Sequence, residues 1–549
     1  MKQIYHGNVL SMSEDMRRSV REEKNAVFPD GILTEDGVIR QVGSFDTLRK
    51  EEPEAEVFDY GNGTILPGFI DGHSHLSAVA YSMILFNAKP SPSGNCNTPE
   101  QLIEEAKKFL RTITLEPGQW FLGLGYDNAV FPGERHLTRQ ELDRISTEIP
   151  IAITHVSGHL CAVNTKAMEL YGYDKPGCEV PAGGEVDPSG LLKEEAFLSP
   201  AKASVVKGPS PSQLMKALEQ ASDHYASFGI TTMQDGKVRK GELELLKAAG
   251  KAGAICGDVV IYLAPETAEE YLPKQYPAEN PYEFHCRLGG AKIFLDGSPQ
   301  GKTAWLSMPY HTVPEGQPED YCGMPVQEEQ DVREFFEKCI RNRWQVNVHA
   351  NGDAAIEQML RCYEYALLVT KKDGGGNENL RPVVIHCQTV RREQLTRMAK
   401  LGMTASFFLD HVYYWGDYHY SSVLGAERAS VISPLRWAEE EEIPFTLHQD
   451  SPVVEPNILF SIHNAVNRRT KGGRVLGENQ RISVLEALEA VTVHGAYQIF
   501  EEETKGAIEP GRRADFVVLE KNPLETSTEE IKDIRITATV KDGRIIYER

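Results

Sequence analysis

The sequence has no long hydrophobic run. No window of about 18 residues is both apolar and free of charge, so we expect no membrane-spanning helix. The amino terminus, from Met1 to Gly7, lacks the apolar core of a secretory signal, which favours a cytoplasmic location. Cysteine is scarce, and the spacing of its 9 residues is not paired, which argues against a disulfide framework. These absences predict a globular protein of a reducing compartment.

Positive charge is also in short supply. The chain has 58 Lys and Arg against 80 Asp and Glu, a net charge of −22. This acidity argues against DNA, RNA or an anionic membrane surface as a partner. The expected partner is therefore a small-molecule substrate, and the sequence leaves open whether the chain forms a homodimer.

The sequence does contain a series of short apolar runs that alternate with helical patterns. Such alternation predicts βα units and a parallel sheet. With 549 residues the chain is too long for one core, so we expect two or three domains. The runs assigned to strands two to eight are Ile230–Gln234, Asp258–Leu263, Ala291–Leu295, Val346–His349, Val383–His386, Met403–Phe407 and Phe445–Asp450.

The first run, from Thr64 to His75, is predicted to be a strand that ends in two histidines. Because side chains alternate along a strand, His73 and His75 would point the same way. Two imidazoles on one face at the end of a buried strand are half of a metal site. With 16 histidines in the chain, one His-x-His is expected by chance, so the prediction depends on further ligands downstream.

Four further polar residues stand in or at the ends of apolar runs, namely Lys292, His349, His386 and Asp450. The architecture that gathers residues from the ends of many parallel strands is a (β/α)₈ barrel. We therefore predict an α/β fold that is built on a TIM-like barrel, with these side chains at one end.

The order His-x-His, Lys, His, His, Asp resembles the amidohydrolase superfamily. The segments LPGFIDGHSH, AKIFLDGSPQGKTA, VNVHANGDAA, VVIHCQ and LHQDSPV resemble its YtcJ-like or N-substituted formamide deformylase-like branch, within amidohydrolase family 3. The resemblance spans almost the whole chain. Pro299, Lys302 and Asn351 depart from the usual wording of this branch without removing a ligand, so they weaken only the transfer of a substrate from a relative.

The resemblance implies two divalent metal ions in one site. Zinc is the expected metal because imidazole and carboxylate groups are its ligands. A protonated lysine would repel a dication, so the resemblance assigns Lys292 a carboxylated side chain that bridges both ions. The alternative is a single ion, with Lys292 a simple cation that balances Asp296 or a substrate carboxylate. In the two-metal arrangement, His73, His75 and Asp450 hold one ion, His349 and His386 the other, and Lys292 lies between them.

The expected reaction is hydrolysis of a linear amide, such as an N-substituted formamide or an N-acyl amine. A metal-activated hydroxide would attack the carbonyl carbon, and Asp450 would pass a proton from the water to the leaving amine. The same site could instead act on a cyclic amide, a dipeptide or a carbamate. A third alternative is a regulatory protein that binds a small molecule without turnover, although such a sensor has no need of a water-activating centre.

We divide the chain into three regions. Residues 1–63 and 505–549 are rich in short β-prone segments and turns, and we expect them to pair in a composite β-sandwich domain. Residues 64–90 and 210–504 would form the barrel. Residues 91–209 are too many for a βα loop, so we expect an insertion that caps the barrel mouth.

Three residues are weaker candidates for contacts with substrate. His159 and Asp127 lie in the insertion, and Gln388 follows closely after His386. Specificity resides in such loops and insertions rather than in the fold, so the substrate is not read from these residues.

Three further features are predicted to surround the metal ligands. Asp353 follows His349 by four residues and would accept a hydrogen bond from it. His448, two residues before Asp450, would line the pocket. Aromatic residues between Phe407 and Tyr418 are expected to supply part of an apolar substrate pocket.

Overall fold

A computed structural model of the chain describes residues 1–22, 28–91, 94–156, 160–175, 177–314, 316–374 and 379–549. The chain forms two compact units, one made of Met1–Ser77 with Glu219–Arg549 and the other of Ala78–Leu218. Within the described ranges, no helix is both long and apolar enough to cross a membrane.

Eight parallel strands of the first unit form the TIM-like barrel, which confirms the predicted fold class. Each barrel strand pairs with its neighbour in sequence, from the first to the eighth. Strand Asp258–Leu263 is buried at every position, as expected for a strand covered on both faces. Barrel strands 1 to 8 are Phe69–Ile70, Ile230–Val238, Asp258–Leu263, Cys286–Phe294, Gln345–Ala350, Val383–His386, Thr404–Phe407 and Phe445–Leu447.

The side chain of Gln498 joins the ends of barrel strands 1 and 8. Its Nε2 donates to the carbonyl oxygen of Gly72 at 2.8 Å, and its Oε1 accepts from the Thr446 hydroxyl at 2.7 Å. A Cβ atom at Gly72 would lie 2.5 Å from the Thr446 hydroxyl oxygen, so the close approach requires glycine.

The predicted strand from Thr64 to His75 is divided in the structure. Residues Glu56–Pro67 belong to the terminal sheet, and barrel strand 1 is only Phe69–Ile70. Gly68 separates the two, because a Cβ there would lie 2.3 Å from the Thr231 side chain. His73 and His75 therefore lie beyond the strand, and the prediction that strand alternation places them on one face was wrong.

Strand 8 is also shorter than predicted, since it ends at Leu447 and leaves Asp450 in the following turn. Strands 2, 3, 5 and 6 contain the predicted apolar runs, and strand 7 begins one residue later than predicted. Strand 4 begins five residues before its predicted run and ends one residue before that run does. The larger corrections thus fall at the ends of strands that carry metal-ligand candidates.

Helices follow barrel strands 2 to 8 and cover the outside of the barrel. Helix Glu329–Asn342 shows the pattern, since its buried residues recur at helical spacing, from Val332 to Phe336 and on to Ile340. The helices of the barrel are Lys240–Lys251, Pro265–Tyr271, Glu329–Asn342, Asp353–Lys372, Arg392–Lys400, His411–Tyr418, Gly425–Ala429, Leu435–Glu440, Ile458–Asn467, Val484–Ala490 and Val493–Gln498.

The two ends of the chain pair in one seven-stranded sheet, as predicted for the composite domain. Strand Glu56–Pro67 joins them, since it runs parallel to Lys2–Val9 and antiparallel to Phe516–Leu519. Helices Glu14–Arg21 and Phe45–Glu51 accompany this sheet. Its remaining strands are Gly31–Glu35, Val38–Gly43, Ile536–Lys541 and Arg544–Glu548.

The second unit, which contains most of the predicted insertion, has a sheet of its own. Six short strands are hydrogen-bonded in it, and two hydrophobic clusters pack around them. Helix Pro99–Leu110 begins after its N-cap residue Thr98, whose hydroxyl accepts from the Gln101 N–H. The role of this unit as a cap of the barrel stays a prediction. Its strands are Phe86–Asn87, Phe121–Tyr126, Ile151–His155, Leu160–Val163, Gly184–Val186 and Leu191–Glu194, and its other helices are Leu76–Ile84, Arg139–Asp143, Thr165–Tyr171, Glu195–Leu198, Pro200–Ala203 and Pro211–Ser227.

Candidate metal centre

His73, His75 and Asp450 lie together at the carboxyl ends of barrel strands 1 and 8. One donor atom from each lies within 4.8 Å of the others. Asp450 Oδ1 is 3.3 Å from His75 Nε2 and 3.6 Å from His73 Nε2. This is the end of the barrel at which TIM-barrel enzymes carry their active sites.

Backbone carbonyl geometry fixes the orientation of His75. Its Nδ1 lies 2.9 Å from the carbonyl oxygen of Gly236, which can only accept, so Nδ1 carries the hydrogen. When His75 is neutral, its Nε2 lone pair therefore points toward Asp450. Gly236 also permits the packing of His73, because a Cβ at that position would lie 2.6 Å from His73 Cε1.

These three side chains fit a divalent cation. Asp450 Oδ1 and His73 Nδ1 are buried atoms without a hydrogen-bond partner in the described part of the chain. Buried polar atoms are normally paired, so an unpaired carboxylate oxygen beside two imidazoles indicates a missing positive charge. Imidazole nitrogen and carboxylate oxygen are donors that zinc accepts.

Lys292 lies against this group, on barrel strand 4. Its Nζ is fully buried and lies 3.2 Å from His73 Nε2. Burial lowers the pKa of Lys292 to about 7, and the nearby Asp450 carboxylate opposes that shift only in part. A lysine in this state is a neutral amine for much of the time at neutral pH, and carboxylation requires that form.

His349 and His386 form a second pair of donors, on barrel strands 5 and 6. His349 Nδ1 and His386 Nε2 are 3.0 Å apart. Burial, with Lys292 nearby, lowers the pKa of His349 to about 3. Burial and the neighbouring His349 hold the pKa of His386 well below its ordinary value. Both rings are therefore neutral at physiological pH, which is the form that binds metal.

The backbone is strained at two of the six ligand candidates. His386 and Asp450 have φ values of 72° and 53°, and Cys387 follows with 49°. Residues other than glycine seldom occupy this left-handed region, at a cost of roughly 1–3 kcal/mol each. Strain of this kind clusters at functional sites, where the surrounding structure holds it in place.

Three more carboxylates are buried around the centre. Burial raises the pKa of Asp71 to about 7, of Asp235 to about 6 and of Asp296 to about 7. Asp296 accepts hydrogen bonds from three backbone N–H groups and lies 3.7 Å from His349 Nε2. A dication nearby would favour the ionised form of each.

The two groups of ligand candidates adjoin, since the ring centroids of His73 and His386 are 6.1 Å apart, and the individual roles of the six residues remain predictions. The substrate-contact candidates are dispersed. His159 lies outside the described residues. Asp127 lies in the second unit, where its Oδ1 is 4.0 Å from His155 Nε2. Gln388 is fully buried on the barrel side, and neither atom of its amide has a hydrogen-bond partner in the part of the chain that is described.

The prediction that Asp353 supports His349 was wrong. Its carboxylate accepts hydrogen bonds from the Ser307 backbone and hydroxyl and pairs with Arg391. Asp353 begins helix Asp353–Lys372, and its side chain is engaged by Ser307 and Arg391 rather than by His349. The carboxylate near His349 is Asp296, which a search for acidic residues just after strand 4 could have found.

His448 has a more specific place than the pocket lining that was predicted for it. It is fully buried, its Nε2 lies 3.1 Å from His386 Nδ1, and its ring stacks on Phe408. Three other aromatic residues between Phe407 and Tyr418 pack against other aromatic side chains. Phe407 packs outward against Phe445, and Tyr413 and Tyr414 pack against Phe460.

Comparison with known proteins agrees with this geometry. The sequence profile of the amidohydrolase family matches residues 56–547. YtcJ of Bacillus subtilis (strain 168) is 25% identical and is aligned over 100% of this chain and 100% of its own length. The N-substituted formamide deformylase of Arthrobacter pascens is also 25% identical, over 94% of this chain and 95% of its own.

The fold is shared with solved structures. An uncharacterized metal-dependent hydrolase from Pyrococcus horikoshii OT3 superposes with a TM-score of 0.74 at 21% identity. The superposition covers 96% of this chain and 99% of the other. At this identity the likeness shows the fold, and chemistry has to be argued from the site.

Proposed function

From the premise that the chain belongs to the amidohydrolase family, we propose that it is a metal-dependent hydrolase of a linear amide bond, such as that of an N-substituted formamide or N-acyl amine. The observation that carries this proposal is the convergence of His73, His75 and Asp450, with two buried donor atoms left unpaired. Similarity to an N-substituted formamide deformylase over most of both chains supports the substrate class.

His73, His75 and Asp450 would hold one divalent ion, and His349 with His386 offers donors for a second. When bound, such an ion supplies a Lewis acid that activates water and polarises a carbonyl group. Carboxylated Lys292 would add an anionic donor between the two groups, consistent with its burial beside His73.

Asp450 is the residue of this chain best suited to carry a proton. Burial alone would raise its pKa, but the neighbouring His75, 3.3 Å from Oδ1, holds the pKa of the carboxyl below its ordinary value. The group is therefore ionised at neutral pH, and its Oδ1 has no hydrogen-bond donor in the described structure. That oxygen can accept a proton from a water molecule and later return it to the leaving amine.

The protein around the centre holds these groups in place. The carbonyl of Gly236 orients His75, and the strained backbone at Asp450 aims its carboxylate at the histidines. Fixed orientation of this kind lowers the reorganisation that the reaction requires.

A substrate panel tests the proposal on zinc-loaded protein. It contains an N-substituted formamide, a longer N-acyl amine, a cyclic amide, a dipeptide and a carbamate, with Asp450→Asn as the inactive control. We expect turnover of the first two and loss of that turnover in the control. Preference for the cyclic amide, dipeptide or carbamate would keep the site and overturn the substrate class. No turnover of any compound by folded, metal-loaded protein would favour a binding protein instead.

A further inference from the structure

A chain of hydrogen bonds runs from the end of barrel strand 1 to the ring of His386. It passes through the side chains of Gln498, Thr446, Ser406 and His448 in that order, and every member is fully or almost fully buried. The successive distances are 2.8, 2.7, 2.9, 2.8 and 3.1 Å, from the Gly72 carbonyl oxygen to His386 Nδ1. We call it the strand 8 relay.

The direction of the relay is set at its first bond. The carbonyl oxygen of Gly72 can only accept, so the amide nitrogen of Gln498 faces it and the amide oxygen faces Thr446. The Thr446 hydroxyl has one hydrogen, which it donates to that oxygen. Ser406 must then donate its own hydrogen to Thr446.

The same logic carries through the imidazole rings. With its hydrogen used, the Ser406 oxygen accepts from His448 Nδ1. His448 is fully buried, and none of the ion pairs between described residues involves its ring, so the neutral form is favoured. Its Nε2 is then an acceptor, and it receives the hydrogen of His386 Nδ1. His386 Nε2 is left as a lone pair that faces His349 Nδ1 at 3.0 Å.

In His349 and His75, a backbone carbonyl oxygen lies directly beside one ring nitrogen and favours a hydrogen on that nitrogen. The Gly297 carbonyl oxygen lies 3.1 Å from His349 Nε2, and that of Gly236 lies 2.9 Å from His75 Nδ1. The Asn351 amide nitrogen also lies 3.1 Å from His349 Nε2, so that ring has a donor as well as an acceptor within reach. In the described structure, the hydrogen-bond partner of His386 Nδ1 is His448 rather than a backbone carbonyl.

We propose that His448 is a positioning residue, which fixes the tautomer of His386 so that its Nε2 lone pair is presented to a metal ion. The inference rests on the proposed metal-dependent function and adds a residue that is not itself a ligand. Metal-binding histidines commonly donate their second ring N–H to an acceptor that fixes the ring, and loss of that acceptor costs about 10–100-fold in metal affinity. Here the acceptor is an imidazole whose own state is determined by the relay.

Two substitutions at one position separate the tautomer role from packing. His448→Phe keeps an aromatic ring against Phe408 but has no acceptor, whereas the amide oxygen of His448→Gln can accept from His386 Nδ1. His419→Phe is the matched control, since His419 is equally buried and bonds to His411 outside the relay. Ser406→Ala breaks the relay one bond further away and serves if His448→Phe does not fold.

The measurement is the affinity of the apoprotein for zinc, by competition with a chromophoric chelator, together with the absorption spectrum of the cobalt-loaded protein. We expect His448→Phe to weaken the affected site by about 10–100-fold and to alter the cobalt spectrum. His448→Gln should recover most of the affinity, Ser406→Ala should show a smaller loss, and His419→Phe should match the wild type.

Unchanged affinity and spectrum in His448→Phe would overturn the positioning role while leaving the metal-dependent function intact. Equal losses in His448→Phe, His448→Gln and His419→Phe would show a packing effect and would also overturn it. Failure of the wild-type protein to bind zinc at all would instead reject the proposed function, so the two failures are distinguishable.

Discussion

The two ends of the barrel differ in how their buried carboxylates are paired. At the amino-terminal end, Asp258 begins barrel strand 3 and meets Lys505 at 2.7 Å, Lys541 at 3.0 Å and His285 at 2.9 Å. At the carboxyl-terminal end, Asp450 lies in the turn after barrel strand 8, and its Oδ1 has no hydrogen-bond partner among the described residues. One end is electrostatically complete within the protein, and the other is not.

The pKa shifts express the same contrast. Burial alone would raise the pKa of Asp258, but Lys505 and Lys541 hold it well below its ordinary value. Around the candidate metal centre, burial raises the pKa of Asp71 to about 7 and of Asp296 to about 7, and at Asp71 the nearby His75 opposes that rise only in part. Asp515, which also pairs with Lys541 at the amino-terminal end, is an exception to this contrast, since burial raises its pKa despite the neighbouring Lys541.

The difference indicates which end supports the fold and which end binds a ligand. Lys541 lies on a strand of the terminal sheet, so its pair with Asp258 joins that sheet to the barrel, whereas its pair with Asp515 lies within the terminal sheet's part of the chain. Buried ion pairs of this kind are costly to break by removal of one partner. The unpaired buried atoms at the carboxyl-terminal end destabilise the fold, and a bound cation would offset this by pairing with them.

The sharpest test of the comparison is Asp450→Asn. We expect turnover to fall by roughly 10²–10⁴-fold, because the variant removes the proton carrier and one anionic donor. The thermal midpoint should change little, since Oδ1, the carboxylate oxygen that faces the histidines, has no hydrogen-bond partner among the described residues to lose. Steady-state kinetics and a melting curve on the same preparation measure both quantities. Retention of activity within about tenfold, a barrier change under ~1.4 kcal/mol, would show that Asp450 does not have this role.

Asp258→Asn should have the reverse effect. The variant leaves two buried lysine side chains without their shared carboxylate, and we expect a loss of about 3–5 kcal/mol in the free energy of unfolding. Zinc affinity and turnover of the remaining folded protein should match the wild type. Urea denaturation combined with zinc titration measures the two together. A variant that kept its stability but lost zinc would reverse the assignment of the two ends.

The sign of the pH dependence follows from the depressed pKa of Asp258. Its stabilising contribution is fully present above the unfolded-state carboxyl pKa of about 3.9 and is lost as pH falls through the lower folded-state value. Wild-type stability should therefore fall more steeply below about pH 4 than that of Asp258→Asn. Denaturation curves at several acidic pH values compare the slopes. Parallel slopes in the two proteins would mean that another group dominates the acid response.

Lys292→Ala tests the metal centre from its lysine side. If a carboxylated Lys292 contributes an anionic donor, zinc affinity should fall by at least the ~10–100-fold expected for loss of an outer partner. Short carboxylic acids added with zinc should restore part of the affinity and activity, because they supply the missing carboxylate. Equilibrium dialysis with metal analysis measures the effect. A variant with its full metal complement would favour one ion and a lysine that contacts substrate.

The smallest effect is expected from Gln388→Leu. Both atoms of the Gln388 amide are buried and unpaired in the described structure, so an apolar replacement removes no hydrogen bond from the free protein. We expect an unchanged or slightly higher thermal midpoint and a KM raised by about tenfold, the loss of roughly one good hydrogen bond to substrate. Loss of stability with unchanged KM would place Gln388 with the structural residues instead.

Part of the fold and of the candidate site could be predicted from the sequence, because most barrel strands correspond to separate apolar runs. Strand 6, Val383–His386, and strand 3, Asp258–Leu263, have the predicted bounds. Both are short apolar runs with clear limits, and the position of His386 at the end of strand 6 followed directly. The pairing of the two chain ends was predicted from their similar composition.

The rest depends on close approaches between distant segments. At the division between the two strands, Gly68 packs against the side chain of Thr231, which is far along the chain, so no local pattern predicts this contact. The partner of Asp353 is likewise distant, since Arg391 comes from the loop after strand 6. The strand 8 relay needs the helix that carries Gln498, and a polar residue in a helix near the end of the barrel gives no such signal.

The most direct test of the metal-dependent function is a zinc titration of chelator-treated wild-type protein, in which calorimetry measures binding and a melting curve measures the thermal midpoint. We expect up to two ions per chain, bound tightly enough to raise the midpoint, with activity that returns as the sites fill. Because a ligand that binds only the folded state stabilises it by mass action, the midpoint should rise with free zinc concentration. Full activity in the presence of chelator, with no tightly bound zinc and a midpoint that zinc does not change, would contradict it.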